Sequence, residues 1–494
     1  MPSPSGAATS AFTNTRAPIS PTSRPGGKSR NDVAGARGRR REYYPTPFEL
    51  LPVVYITLIA LLFSITNFIP VSAIGFAPIC LCAWRLFDRR YPPFVTCLSV
   101  FGLLALGSTL LYDPQALLSY DFYRHDGNFF VSYAPILAGC LYSHELDLDK
   151  ALRRFFVFAV LANLPPYAVY VAQNGLLAIF SNANDSFGSY FIARNAAGGF
   201  LAMLFCLGLS CYVKRPDKLV LGLLVLNAMF VFSTYSRGSM LGMATAIAYL
   251  LLGRKRWLVA VLMAAAVAFS FGAAWNHTQS AVDYMAHEHT VRDVDAKTAN
   301  VDVRFGWLWP RALAYFEASP IIGMGVGSFD DEVHDVVNYF GVVGQPRDVT
   351  VFHTDAHAHN SYLHIAAELG VIGLALMLAF YWHLVKWAVE GAASTLPARR
   401  SSVGAYTFVE LSSVCLLAMG TTEHRLTTPS NVLILALVVS LLLSWRVRRA
   451  GAVAKVARPA TRGVALTAAA SRRDSQDTGT VCRQRRAAAP VRRS

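Results

Sequence analysis

The segment HTDAHAHNSYLH, residues 353–364, gathers His353, Asp355, His357, His359 and His364, with Asn360 beside His359. An imidazole titrates at about 6.5, so at neutral pH it can take a proton from an incoming hydroxyl. Three His and one Asp within seven residues also suit a metal-ligand set, and a solvated stretch is the third reading. The HExxH spacing is missing. General-base chemistry is therefore the preferred reading, with no metal and no cofactor. On the residues alone, His353, His357 and His359 all remain open as the base.

The same region is supplied with arginine. Residues 303–317, VRFGWLWPRALAYFE, place Phe305, Leu308, Trp309, Ala312 and Phe316 at helical spacing, with Arg304 and Arg311 seven apart on one face. This reads as an amphipathic helix on a membrane surface with its arginines available, interrupted at Pro310. A guanidinium's planar fork binds phosphate in a bidentate way, whereas an ammonium offers a point charge. The run SPIIGMGVGSF at 319–329 spaces Gly323, Gly325 and Gly327 like a nucleotide-binding turn, but without a βαβ setting it reads as a tight, close-packed turn.

The elements that must position these groups are membrane spans. Of 494 residues, 54% are hydrophobic and only 15% charged, against about 25% charged in a soluble domain. Apolar runs at 49–67, 71–87, 94–112, 128–143, 154–173, 196–213, 218–235, 239–252, 257–275, 362–383, 403–419 and 431–446 approach the roughly 20 residues a helix needs to cross a bilayer. The expected fold is an all-α polytopic integral membrane protein of about 12 transmembrane helices. Pro165–Pro166 should kink the fifth.

Charge sets the orientation. With both termini inside, 36 of the 45 Lys and Arg fall on the inner side, as the positive-inside rule asks. The net charge of +15 is then a topological signal, and a nucleic-acid partner is not implied. The long outer loop carries 12 acidic and 5 basic residues. The short outer loops hold four arginines and no lysine: Arg124, Arg194, Arg237 and Arg425, each near a helix end. They suit the phosphate of a lipid carrier, the plain alternative being pairs with carboxylates or headgroups.

The expected organisation is a disordered basic cytoplasmic leader at 1–44, spans 1–9 within 45–275, a long catalytic loop at 276–361, spans 10–12 within 362–449, and a disordered basic tail at 450–494. The cysteines lie in spans or in the tail, so no outer disulfide framework is expected.

Ser236-Arg237-Gly238 after a span, Arg304 and Trp307 opening a long loop, Ser319-Pro320-x-x-Gly323-x-Gly325, His359-Asn360-Ser361-Tyr362-Leu363, and Glu368-Leu369-Gly370 with Gly373 follow one another in order. This order resembles the O-antigen ligase and polymerase superfamily of bacterial envelope glycosyltransferases, in detail over about residues 230–380. The resemblance implies a multi-pass protein of the bacterial inner membrane with a periplasmic active site. It would perform an inverting, metal-independent glycosyl transfer from an undecaprenyl-pyrophosphate-linked glycan to a glycan, lipid or protein hydroxyl. Arg237 and Arg304 would bind the pyrophosphate, His359 would activate the acceptor, and Arg194 is a weaker match. Arg124, Arg311, Arg425 and Asn360 join them as substrate-binding candidates on charge and position. Ligase, polymerase and protein O-glycosylation all stay open, with the ligase-like reading preferred.

A transporter or flippase is the rival from another class, favoured by Glu410 inside the eleventh apolar run. The two differ in placement. A transferase gathers its arginines and imidazole beyond the helix ends, and a carrier keeps its polar groups near the midplane.

Overall fold

The computed structural model describes residues 91–112, 114–115, 128–140, 147–175, 186–191, 194–276, 304–329, 357–393 and 402–444. The expected spans at 49–67 and 71–87, both tails, Arg124, His353 and Asp355 lie outside the described residues. Among the described residues every regular element is helical. They are α1 (Pro93–Tyr112), α2 (Asn128–Ala138), α3 (Leu148–Ala162), α4 (Leu164–Asn174), α5 (Arg194–Lys214), α6 (Lys218–Ser233), α7 (Arg237–Leu251), α8 (Arg256–Asn276), α9 (Trp309–Ala318), α10 (Ser361–Ala392), α11 (Val403–Met419) and α12 (Pro429–Ser444). Each remaining apolar run thus corresponds to helix. Five stretches are long and apolar enough to cross a membrane: α1, α3 with α4, α5, α8 and α10.

Local chemistry explains several boundaries. Asp147 caps α3 by accepting from the Lys150 N–H at 3.3 Å, and Asp217 caps α6 by accepting from Leu219 N–H at 3.0 Å. The fifth run breaks at Asn163, just before Pro165 and Pro166, which open the next helix where their missing N–H costs nothing.

The centre of the bundle is α11, buried from Gly404 to Met419 and packed against α5, α7 and α10. Close approach comes from small residues. A Cβ added to Gly242 would lie 2.5 Å from Met419 Cγ, and one on Gly238 would lie 2.5 Å from Thr422 Oγ1. This Gly-x-x-x-Gly face brings the start of α7 against the end of α11, as small-residue stripes do between membrane helices.

Ion pairs tie the opposite end together. Lys214 pairs with Asp149, whose Oδ1 also accepts the Ala405 N–H at 2.9 Å, and Arg153 pairs with Asp217. Glu410, fully buried, is bound by Arg254 and by the Tyr249 hydroxyl at 2.9 Å. Three of the loops whose basic residues are expected on the inner side therefore meet at this end. Glu410, the feature that favoured a transporter, is thus paired with a cation.

The long loop folds back where it is described. A π-helical turn, Arg304–Leu308, leads into α9, which packs on α8 and α10. The expected surface helix is corrected here: Trp309, Pro310, Arg311, Ala312 and Leu313 are buried. The glycine turn then docks on α10, which breaks at Gly370 (φ 63°). The break frees backbone groups that the turn satisfies. Met324 N–H donates to Ala367 O (3.1 Å), Gly325 N–H to Glu368 O (2.9 Å) and Val371 N–H to Pro320 O (2.8 Å). A Cβ on Gly323 would sit 2.1 Å from the Glu368 carbonyl carbon, so only glycine permits this contact.

Candidate active site

Beyond the ends of α7, α10 and α11, the side chains converge on Glu423, in the turn between α11 and α12. Its Oε2 lies 3.0 Å from His359 Nδ1. Its Oε1 accepts from Arg304 Nη2 at 2.9 Å and from Asn195 Nδ2 at 3.1 Å. Arg304 Nη1 also donates to the Thr422 carbonyl at 3.0 Å, so among the described residues two of the five guanidinium donors are used. Burial would raise the Glu423 carboxyl pKa. The His359 hydrogen bond and the charges of Arg425 and Arg304 outweigh it and hold the group at about 2. Glu423 is thus a fixed anion.

His359 is held in an unusual backbone state, at φ 48°. A non-glycine residue there is strained, and such strain collects at functional sites. What stabilises it is the start of α10. Asn360 Oδ1 caps the helix by accepting from Tyr362 N–H (3.0 Å) and Leu363 N–H (3.2 Å), while its Nδ2 donates to Ser270 Oγ (2.8 Å) and Thr421 O (3.1 Å). Asn360 is therefore a positioning residue: its amide is used up by the protein. Ser361 completes the clamp. Its hydroxyl donates to Glu423 O at 3.0 Å and accepts from Arg425 N–H at 2.8 Å.

The arginines divide into two groups. Arg304 sits at the cluster. Arg237 is exposed on the first turn of α7, where a Cβ on the next residue, Gly238, would meet Thr422 and Glu423. Arg194 starts α5, next to the Asn195 that bonds Glu423. Arg425 is only 2% exposed and braces the turn, with Nη1 on the Asn195 carbonyl and on Asn431 Oδ1 (3.3 Å) and Nη2 on Ser236 Oγ (3.2 Å). Arg311 is corrected. It is 3% exposed, and its guanidinium lies over Phe329 at 4.6 Å, enclosed by the 319–329 turn.

The histidines are sorted as well. His359 faces Glu423, whereas His357 stacks on His424 with ring centroids 4.2 Å apart. Burial first, then the charges of His357, His364, His359 and Arg425, pushes the His424 imidazole well below its usual value.

Sequence reasoning missed Glu423 and His424. The available signal was a carboxylate and an imidazole directly before Arg425, in a short loop already marked as functional.

Chemically, a carboxylate at Nδ1 can hold the His359 ring in the tautomer whose basic nitrogen is Nε2, and the Arg304 guanidinium bonded to the same carboxylate brings positive charge to it. Residues 222–378 match the family model described as O-Antigen ligase. The match includes Ser236–Gly238, Arg304 and His359–Leu363, and it supports the O-antigen ligase and polymerase superfamily read from the motifs. Glu423, His424 and Arg425 lie beyond it. None of the curated proteins compared with the chain matches it.

Proposed function

We propose, on the premise of that family match, that the chain is an O-antigen ligase-like glycosyltransferase. It moves a glycan from undecaprenyl pyrophosphate to an acceptor hydroxyl at the periplasmic face of the bacterial inner membrane. The observation that carries this reading is the meeting of His359 and Arg304 on Glu423, beyond the helix ends and against the turn of α7 that carries Arg237. The inner-side basic loops gather at the other end of the bundle, which supports an outward-facing site.

His359 Nε2 takes the proton of the acceptor hydroxyl. The acceptor oxygen attacks the anomeric carbon, and the carbon–oxygen bond to the diphosphate breaks with inversion. Undecaprenyl pyrophosphate leaves with the bonding pair. Arg304 and Arg237 neutralise the charge that develops on it. Each charge-assisted hydrogen bond contributes about 1.5–3 kcal/mol, so two arginines account for a sizeable part of the barrier.

The transporter reading loses its main support with Glu410 paired. The test is an assay with purified full-length protein, a lipid-linked glycan and three acceptors: lipid A core, a second lipid-linked glycan, and a Ser/Thr peptide. Glycan transferred to lipid A core supports the ligase reading. Transfer to either other acceptor alone moves the chain to the polymerase or protein-glycosylating branch. No transfer to any of them overturns the enzyme reading.

A further inference from the structure

Behind the His359–Glu423 pair, three further imidazoles meet from three places in the chain. His357 precedes α10, His364 lies in its first turn, and His424 follows Glu423. The rings of His357 and His424 are stacked 4.2 Å apart, His364 and His424 stand edge to face at 4.3 Å, and His357 and His364 at 5.2 Å. Each contributes one ring nitrogen lying within 4.8 Å of the other two. His364 is 2% exposed and His424 8%.

The outer nitrogens of two of these rings are already held. His364 Nε2 is 3.4 Å from Glu368 Oε2, and His424 Nε2 is 2.5 Å from Thr427 Oγ1. Glu368 is fixed in turn by the Gly327 N–H at 2.9 Å. The Nδ1 atoms of His364 and His424 are buried and have no hydrogen-bond partner among the described residues. A buried polar nitrogen left this way calls for an occupant. Protonating the rings would crowd like charges into a site shielded from water, so a proton on each is a poor solution. A cation accepting their lone pairs is a good one.

We propose that His357, His364 and His424 bind one first-row divalent cation, zinc being the best fit. Imidazole suits such ions, and three His with an open fourth position is an established zinc set. The carboxylate on the far nitrogen of His364 is the outer-shell partner that ligating histidines usually have. Zinc–nitrogen bonds of about 2.0–2.1 Å require nitrogens about 3.4 Å apart, so the rings, now with nitrogens within 4.8 Å, turn toward the ion on binding and His357 leaves its stack on His424. The ion would pin the segment two residues before His359 to the residue after Glu423, and so hold that pair in register. Binding does not depend on the transfer reading, and the ion takes no part in the displacement.

The test uses the full-length protein, purified through a tag free of histidine, loaded with zinc sulfate and dialysed. Elemental analysis should find one zinc per chain. The His357→Ala and His424→Gln variants should each retain roughly tenfold less or lower still. His359→Ala should retain the wild-type amount. Cobalt loaded in place of zinc should give the visible absorption of a tetrahedral site in wild type and not in the two variants. Wild-type protein that keeps no zinc and shows no cobalt band overturns the proposal, as does equal retention by all variants. His357 lies at the less buried edge of the cluster, so its variant serves if His424→Gln does not fold.

Discussion

Glu423 Oε2 and His359 Nδ1 stand 3.0 Å apart across 64 residues of chain, and the same carboxylate holds Arg304 through its other oxygen. One anion therefore orients the proposed base and the proposed phosphate-binding arginine together. A change at Glu423 should disturb both.

Replacing Glu423 by Gln keeps the shape and removes the charge that orients the imidazole. Turnover should fall by about 100-fold or more, the scale of a lost general base. Glycan-transfer kinetics measured beside the thermal midpoint check this. A normal turnover number would remove Glu423 from the site.

His359→Ala and His359→Gly should both abolish measurable transfer while the protein still inserts. They should differ in stability, because φ 48° suits glycine and strains alanine. The glycine variant should be more stable by about 1 kcal/mol. Equal melting temperatures would argue against the strain, and retained transfer against the base.

Arg237 is exposed, so Arg237→Lys should leave the fold intact. It should still impair turnover, since charge without the planar fork cannot bind a diphosphate in a bidentate way. Arg304→Lys should impair turnover and also lower the melting temperature, through its lost bond to Glu423 or to the Thr422 carbonyl. Wild-type kinetics in Arg237→Lys would count against bidentate binding.

Glu410→Gln separates the two classes of function. It leaves Arg254 without its anion and should cost about 3 kcal/mol, the scale of breaking a buried pair. Transfer per folded molecule should be unchanged. Loss of transfer in well-folded Glu410→Gln would return this carboxylate to the mechanism.

Gly370→Ala tests the scaffold. At φ 63°, with a Cβ 2.3 Å from the Ile321 carbonyl carbon, it should destabilise by about 2 kcal/mol or more and release the 319–329 turn. Melting curves and protease sensitivity of that turn provide the check.

Much of the molecule was legible from residue order. Apolar runs translate directly into helices, because a bilayer requires every backbone polar group to be satisfied within its own segment. The glycine turn and the break at Pro165–Pro166 were equally local signals. The surface helix with available arginines was not recovered. Spacing places Arg311 on a face, but only Phe329 arriving from the turn shows that the face is covered.

The order of residues by itself determined which stretches are helices, where arginine and histidine stand relative to helix ends, and the resemblance those positions carry. Tertiary structure alone decided which of them work together. It drew Glu423 to His359, enclosed Arg425, gave Asn360 to the backbone and gathered His357, His364 and His424 into one cluster. The reason is physical. Helix formation depends on neighbours a few residues away, whereas the partner of a charge depends on which distant helix ends the packing brings within about 3 Å.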